Sequence, residues 1–215
     1  MIDPESLEGV QVSEERPRTS PIWRWLPPLL ALILLAAAAV LWATASRPPS
    51  DTSLEAGFAR DMMVHHDQAV TMALLARDRT DDPLIRTLTT DIVLTQQNQI
   101  GQMLGWLNLW GLPATGSEPA MAWMGHPTTG RMPGMASPEE IATLESLSGA
   151  AADIEFLRLM IRHHEAGVPM AEAALTGSGN PAVRALARQI VAAQEIEIVA
   201  MQDLLAEKDS AGEET

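Results

Sequence analysis

Phe58-Ala59-Arg60-Asp61-Met62-Met63-Val64-His65-His66 returns 98 residues later as Phe156-Leu157-Arg158-Leu159-Met160-Ile161-Arg162-His163-His164. Extended outward from these positions, residues 58–107 match residues 156–205 without a gap, and 18 of 50 positions are identical. The identities include Met72/Met170, Pro83/Pro181, Gln96/Gln194 and Met103/Met201. One supersecondary unit is therefore present twice, and each position has to be read together with its mate.

Each unit predicts a helical hairpin. The first helix runs from about residue 53 to 76 and recurs from about 151 to 175, both stretches rich in Ala, Leu and Met. The second begins at Asp82-Pro83 and again at Asn180-Pro181, where Asp or Asn caps and Pro occupies the first turn. Strand signals are missing. The connector, residues 111–137, is rich in Gly, Pro and Met, and Ser137-Pro138-Glu139-Glu140 has capping-box spacing that predicts a short helix to about residue 147, before Gly149. Two repeated hairpins pair most simply into an all-α, antiparallel four-helix bundle over residues 54–206, with a disordered tail expected over 207–215. Pro169, where the first copy has Thr71, is expected to kink its helix.

Composition narrows the function. The 215 residues include no Cys, which excludes disulfides and thiolate sites. With 28 acidic against 14 basic residues and a formal net charge of -14, the chain repels phosphate backbones, so nucleic acid is not an expected partner. Between Arg24 and Arg47 lie 22 residues without formal charge, flanked by Trp23, Trp25 and Trp42. This pattern predicts a transmembrane anchor over 22–46, following a disordered tail over 1–21 and leading into a linker over 47–53. Arg16, Arg18 and Arg24 before the span place the N-terminus in the cytoplasm and the bundle outside. Ala43-Thr44-Ala45 resembles a signal-peptide cleavage site, but the leading segment is long and acidic, which favours an uncleaved anchor in the cell membrane.

The repeat also marks the inward faces. Met62, His65, His66, Ala69, Met72, Ala73 and Ala76 follow the spacing of one helical stripe, and Met160, His163, His164, Gly167, Met170, Ala171 and Ala174 repeat it. The second helices offer Leu88, Ile92, Gln96, Gln99 and Met103, then Leu186, Ile190, Gln194, Glu197 and Met201. Adjacent His residues diverge by about 100° around a helix, so ligands from facing helices have to complete any metal site. Imidazole and thioether without thiolate suit Cu(I), with Cu(II) able to use imidazoles and a carboxylate. The candidate ligands are His65, His66, His163 and His164, with Met62, Met72, Met160, Met170, Met103, Met201 and Glu197. A second candidate lies in the connector, where Met121, Met124, His126, Met132 and Met135 fall within fifteen residues. Ferritin-type iron chemistry needs several inward Glu and a Glu-x-x-His spacing, which are absent. The competing reading is structural: Met fills irregular cores, and Gln96, Gln99, Gln194 and Glu197 can satisfy buried imidazoles.

His65-His66-Asp67 with Met72-Ala73, Met132-Pro133-Gly134-Met135, and His163-His164-Glu165 with Met170-Ala171 resemble the pattern of the bacterial domain of unknown function 305 family. Gln194, Glu197 and Met201 fit the same pattern, and the resemblance covers about residues 54–206. It implies a ferritin-like helical bundle, usually secreted or membrane-anchored, in a family some of whose members are associated with copper handling. The leading expectation is a membrane-anchored, extracytoplasmic copper-binding protein for sequestration or transfer. A metal-dependent oxidoreductase at the same residues and a metal-free interaction bundle are the two alternatives.

Overall fold

The computed structural model describes residues 21–45 and 48–213, and the chain divides at Arg47 into two units. Among the described residues the regular elements are helices, with one isolated extended pairing between Ala120 and Thr128.

The first unit contains helix α1 (Leu26–Ala45), preceded by a 3-10 turn, Pro21–Arg24. The expectation of a transmembrane anchor over 22–46, and with it of a single-pass membrane location, is corrected here: among the described residues no helix is long and apolar enough to cross a membrane. The wholly aliphatic stretch of α1 is confined to residues 29–41. At 1.5 Å per residue it covers only about 20 Å of the roughly 30 Å of hydrocarbon. Pro27 and Pro28 precede it and Thr44 follows it. Apart from Pro21, the tail expected over 1–21 lies outside the described residues.

The second unit holds α2 (Leu54–Arg77), α3 (Pro83–Trp110), α4 (Pro138–Ser146), α5 (Gly149–Gly177) and α6 (Pro181–Glu213). Local chemistry sets their ends. The side chains of Ser53, Asp82 and Asn180 accept from the first-turn amides of Ala56, Leu84 and Ala182. Gly111 closes α3 in the left-handed region at φ +70°, a conformation glycine adopts without strain. The Ser137/Glu140 capping box forms in full. Gly149 opens α5 at φ +57° and donates its N–H to the Arg79 carbonyl, so this helix starts before the expected residue 151. α5 continues unbroken through Pro169, which lies on its exposed side.

The tail expected over 207–215 is likewise corrected, since α6 stays helical to Glu213. Lys208 secures that extension: its ammonium donates to Asp82 at 2.7 Å and to buried Asp153 at 2.9 Å, tying α6 to the starts of α3 and α5.

α2 packs along α3 and α5, and α5 along α6. Two apolar clusters fill the interior. The first joins Phe58 and Met62 of α2, Met103 and Leu107 of α3, Met170 and Ala174 of α5, and Val183, Leu186 and Ile190 of α6. The second joins Met72 and Ala76, Ile85 and Ile92, Phe156 and Met160, and Met201 with Leu144 of α4. The early part of α2 thus meets the late part of α5 and the converse, which makes the hairpins antiparallel about a pseudo-twofold axis. Each fully buried Phe or Met contributes about 1.5–3 kcal/mol. Along the long helices, the buried residues between the two clusters are polar except for Gly167.

Candidate metal centre

Between the clusters α2 contributes His65 and His66, α3 Gln96 and Gln99, α5 His163 and His164, and α6 Gln194 and Glu197. The four imidazoles have no exposed surface. His65 and His163 are repeat mates, and their rings meet across the pseudo-twofold axis with centroids 3.7 Å apart and planes inclined by 33°. The His163 and His164 ring centroids are 6.1 Å apart.

Burial is the main cause of their electrostatics. It lowers His65 to about 4, partly offset by the Pro133 carbonyl. It lowers His66 to about 3, with the neighbouring His65 adding to the effect. It also holds His163 well below the usual histidine value. At neutral pH these three rings are therefore uncharged, the state in which imidazole offers a lone pair.

Two rings have side-chain partners. His66 Nε2 lies 2.7 Å from Gln99 Oε1, and His164 Nε2 lies 2.8 Å from Glu197 Oε2. His164 Nε2 thus faces a carboxylate oxygen, while its Nδ1 has no hydrogen-bond partner. This is the arrangement in which a carboxylate orients a histidine for an ion on its other nitrogen. His65 Nε2 lies 3.4 Å from the Pro133 carbonyl.

The remaining polar atoms have no such match. Nδ1 of His65, His66 and His164, both nitrogens of His163, and both amide atoms of Gln96 and Gln194 are buried without a hydrogen-bond partner. An unpaired buried polar group costs about 1–3 kcal/mol, so this concentration in one layer is costly for a bundle of this size. Gln99 and Glu197 satisfy imidazoles as a structural reading requires, whereas Gln96 and Gln194 do not.

The methionines frame the layer from both sides. Met62, Met103 and Met170 belong to the first cluster, and Met72, Met160 and Met201 to the second, all buried. The connector residues are placed differently: Met121 and Met132 are buried in the first cluster, Met124 and Met135 pack against it, and His126 is exposed. Among the described residues, no three His, Asp or Glu side chains converge closely enough to hold a metal ion by themselves.

The connector also contributes what the sequence did not announce. Asp61 Oδ2 accepts from the Met121 amide and from Trp123 Nε1, both at 2.7 Å, and Gly57 leaves the room Trp123 fills. Gln68 exchanges two hydrogen bonds with the backbone of Ala136, at 2.7 and 3.0 Å. These bonds lay the Pro133 carbonyl over His65. The only sequence signal was divergence between the copies, since Gly57 and Asp61 are replaced by Glu155 and Leu159 in the mate.

The chain is similar to known proteins in both sequence and fold. The family described as domain of unknown function DUF305 matches residues 55–205. A crystal structure of a DUF305 protein from Streptomyces coelicolor is 48% identical, with a TM-score of 0.72 over 74% of this chain and 96% of that one. CopM in its Cu(II)-bound form is 25% identical, with a TM-score of 0.59 over 74% of this chain and 98% of that one. The uncharacterized protein L153 of Acanthamoeba polyphaga mimivirus is 44% identical over 46 residues, 21% of this chain, and the match spans 30% of that protein.

Proposed function

The chain belongs to the DUF305 family, and from that premise we propose that it is a copper-binding protein that sequesters or passes on the ion through its buried histidine layer. The ligands are drawn from His65, His66, His163 and His164, with Met62, Met72, Met103, Met160, Met170 and Met201 on either side, and Glu197 orienting His164. The observation that carries this reading is the set of five imidazole nitrogens buried without a partner.

Three features support copper, and the second of them favours its reduced state. Burial keeps His65, His66 and His163 neutral at physiological pH, so these rings have no charge-bearing proton to lose before an ion binds. Among the described residues no three His, Asp or Glu side chains converge on one point, and six buried methionines flank the imidazoles, a supply of thioether sulfur that suits a soft ion content with few ligands rather than zinc, magnesium or calcium. The Cu(II)-bound relative adds a copper-loaded precedent for the same bundle. Complete burial of the imidazoles favours holding an ion over turning over a substrate, which needs room beside it.

The test is competition of the full chain against chromophoric Cu(I) and Cu(II) chelators, beside a variant with all four histidines changed to Gln and verified as helical by circular dichroism. Tight Cu(I) uptake by the native protein that the variant loses is the expected result. Equal, weak uptake by both overturns the proposal and leaves the layer a structural one.

A further inference from the structure

An ion bound in this layer has crossed a closed shell, because none of the four imidazoles reaches the surface. The connector side is shut. The Gln68 and Ala136 hydrogen bonds fasten it, and Gly134, at φ +75°, lies so close to α5 that a Cβ there would come within 2.5 Å of Ala166 Cβ and 2.7 Å of the Arg162 carbonyl. The contact between α2 and α5 is filled by the paired rings of His65 and His163.

The opposite side is different. α3 and α6 approach each other far less than the other neighbouring long helices do. They leave a cleft of about 330 Å³, lined by Leu94, Thr95, Asn98, Gln99, Gln102 and Gln189. All six side chains are uncharged, so nothing in the cleft traps a cation on its way. Five of them are exposed; Gln99 alone is buried, with 6% of its surface accessible. Its Oε1 lies 2.7 Å from His66 Nε2. One side chain thus forms the floor of the cleft and touches the histidine layer.

We propose that the α3/α6 cleft is the route by which the ion enters and leaves the histidine layer, with Gln99 as the positioning residue at its floor. The inference rests on the copper-binding reading above. A swing of the Gln99 amide into the cleft opens the floor without moving a helix, and its return restores the hydrogen bond that orients His66. The amide oxygen also offers a neutral ligand to an ion that has shed water but not yet reached an imidazole.

Thr95→Trp and Gln189→Trp each place an indole over the mouth, one from either wall, at positions exposed in the native protein. Asp67→Trp, on the exposed face of α2, is the control. Stopped-flow transfer of Cu(I) from a chromophoric chelator to the full chain, and back, gives both rates; competition at equilibrium gives the affinity. The expected result is uptake and release each slowed by about tenfold or more in the two cleft variants, with unchanged affinity and an unaffected control. Native rates in both cleft variants, equal slowing in the control, or lost affinity in the cleft variants overturns the route. Failure of the native protein itself to take up copper overturns the underlying binding reading, a result separable from fast uptake past a blocked cleft.

Discussion

Acidifying the metal-free protein from pH 7 to pH 5 is expected to cost it about 4 kcal/mol of stability through His65 and His66 alone. Burial lowers their folded values to about 4 and about 3, against 6.5 for an ordinary histidine. Above 6.5 both folded and unfolded states leave the rings neutral, and the full stability is present. As the pH falls below 6.5 the unfolded chain takes up protons that the folded bundle refuses, so each ring lowers the unfolding free energy by about 1.4 kcal/mol per pH unit until its folded value is reached. At pH 5 that amounts to about 2 kcal/mol per ring, and His163, shifted in the same direction, adds to it. The sum is a large part of the 5–15 kcal/mol typical of a whole domain. Glu140, held down to about 2 by the Arg162 guanidinium, gives up its stabilisation only below 4.5 and does not confuse the window. Urea unfolding followed by far-ultraviolet circular dichroism at pH 7, 6 and 5, with a chelator present, measures the slope. A midpoint that stays level or rises on acidification would refute the account of neutral, unpaired rings, and His65→Gln/His66→Gln should show a shallower slope than the native chain.

Three further outcomes are expected. Gly134→Ala forces a side chain into the left-handed region and against α5, and should cost about 2 kcal/mol or more, with faster amide exchange at residues 132–136; native stability and protection would contradict the tight docking. Lys208→Met strands the buried Asp153 carboxylate and should cost about 3 kcal/mol in urea unfolding, part of which Asp153→Leu restores in the double variant, whereas a smaller loss in the single variant than in the double one would contradict the clamp. If copper binds only the folded bundle, an excess of Cu(I) at 100 times its Kd should raise stability by about 2.7 kcal/mol, and a chelator should reverse the gain; no rise at that concentration contradicts the coupling.

The bundle was legible because the repeat made each helix face visible twice. Met62, His65, His66 and Met72 share one stripe with their mates Met160, His163, His164 and Met170, and a pattern that survives duplication fixes both the hairpin and its inward side. The polar layer followed from the same stripes. What the sequence did not disclose was how the layer is closed and who partners whom. The connector has no period, so nothing in Met132-Pro133-Gly134-Met135 foretold a carbonyl over His65 or a backbone pressed on Arg162. Gln96 and Gln99 look alike in sequence, yet only Gln99 meets an imidazole, because that choice depends on side-chain geometry across two helices. The end of α6 was misplaced for a similar reason: its last turns are held by Lys208 reaching to Asp82 and Asp153, residues far away in the chain. At the N-terminus, absence of charge was read as length of hydrocarbon, and the aliphatic part of α1 is shorter than that run.

The pairing of His65 with His163 has one more implication. Two identical hairpins assembling as separate chains would bring the same ring onto the symmetry axis, but every other position would be obliged to match a copy of itself. Joined in one chain, the halves are released from that obligation. Position 99 is an amide where 197 is a carboxylate, and 69 is alanine where 167 is the glycine that leaves room for Gln194 beside His65. A single connector can then cross the α2/α5 face at the axis itself, with Pro133 over His65 and Gly134 against Ala166, where two symmetry-related copies would collide. Joining the hairpins thus allowed that face one unshared cover.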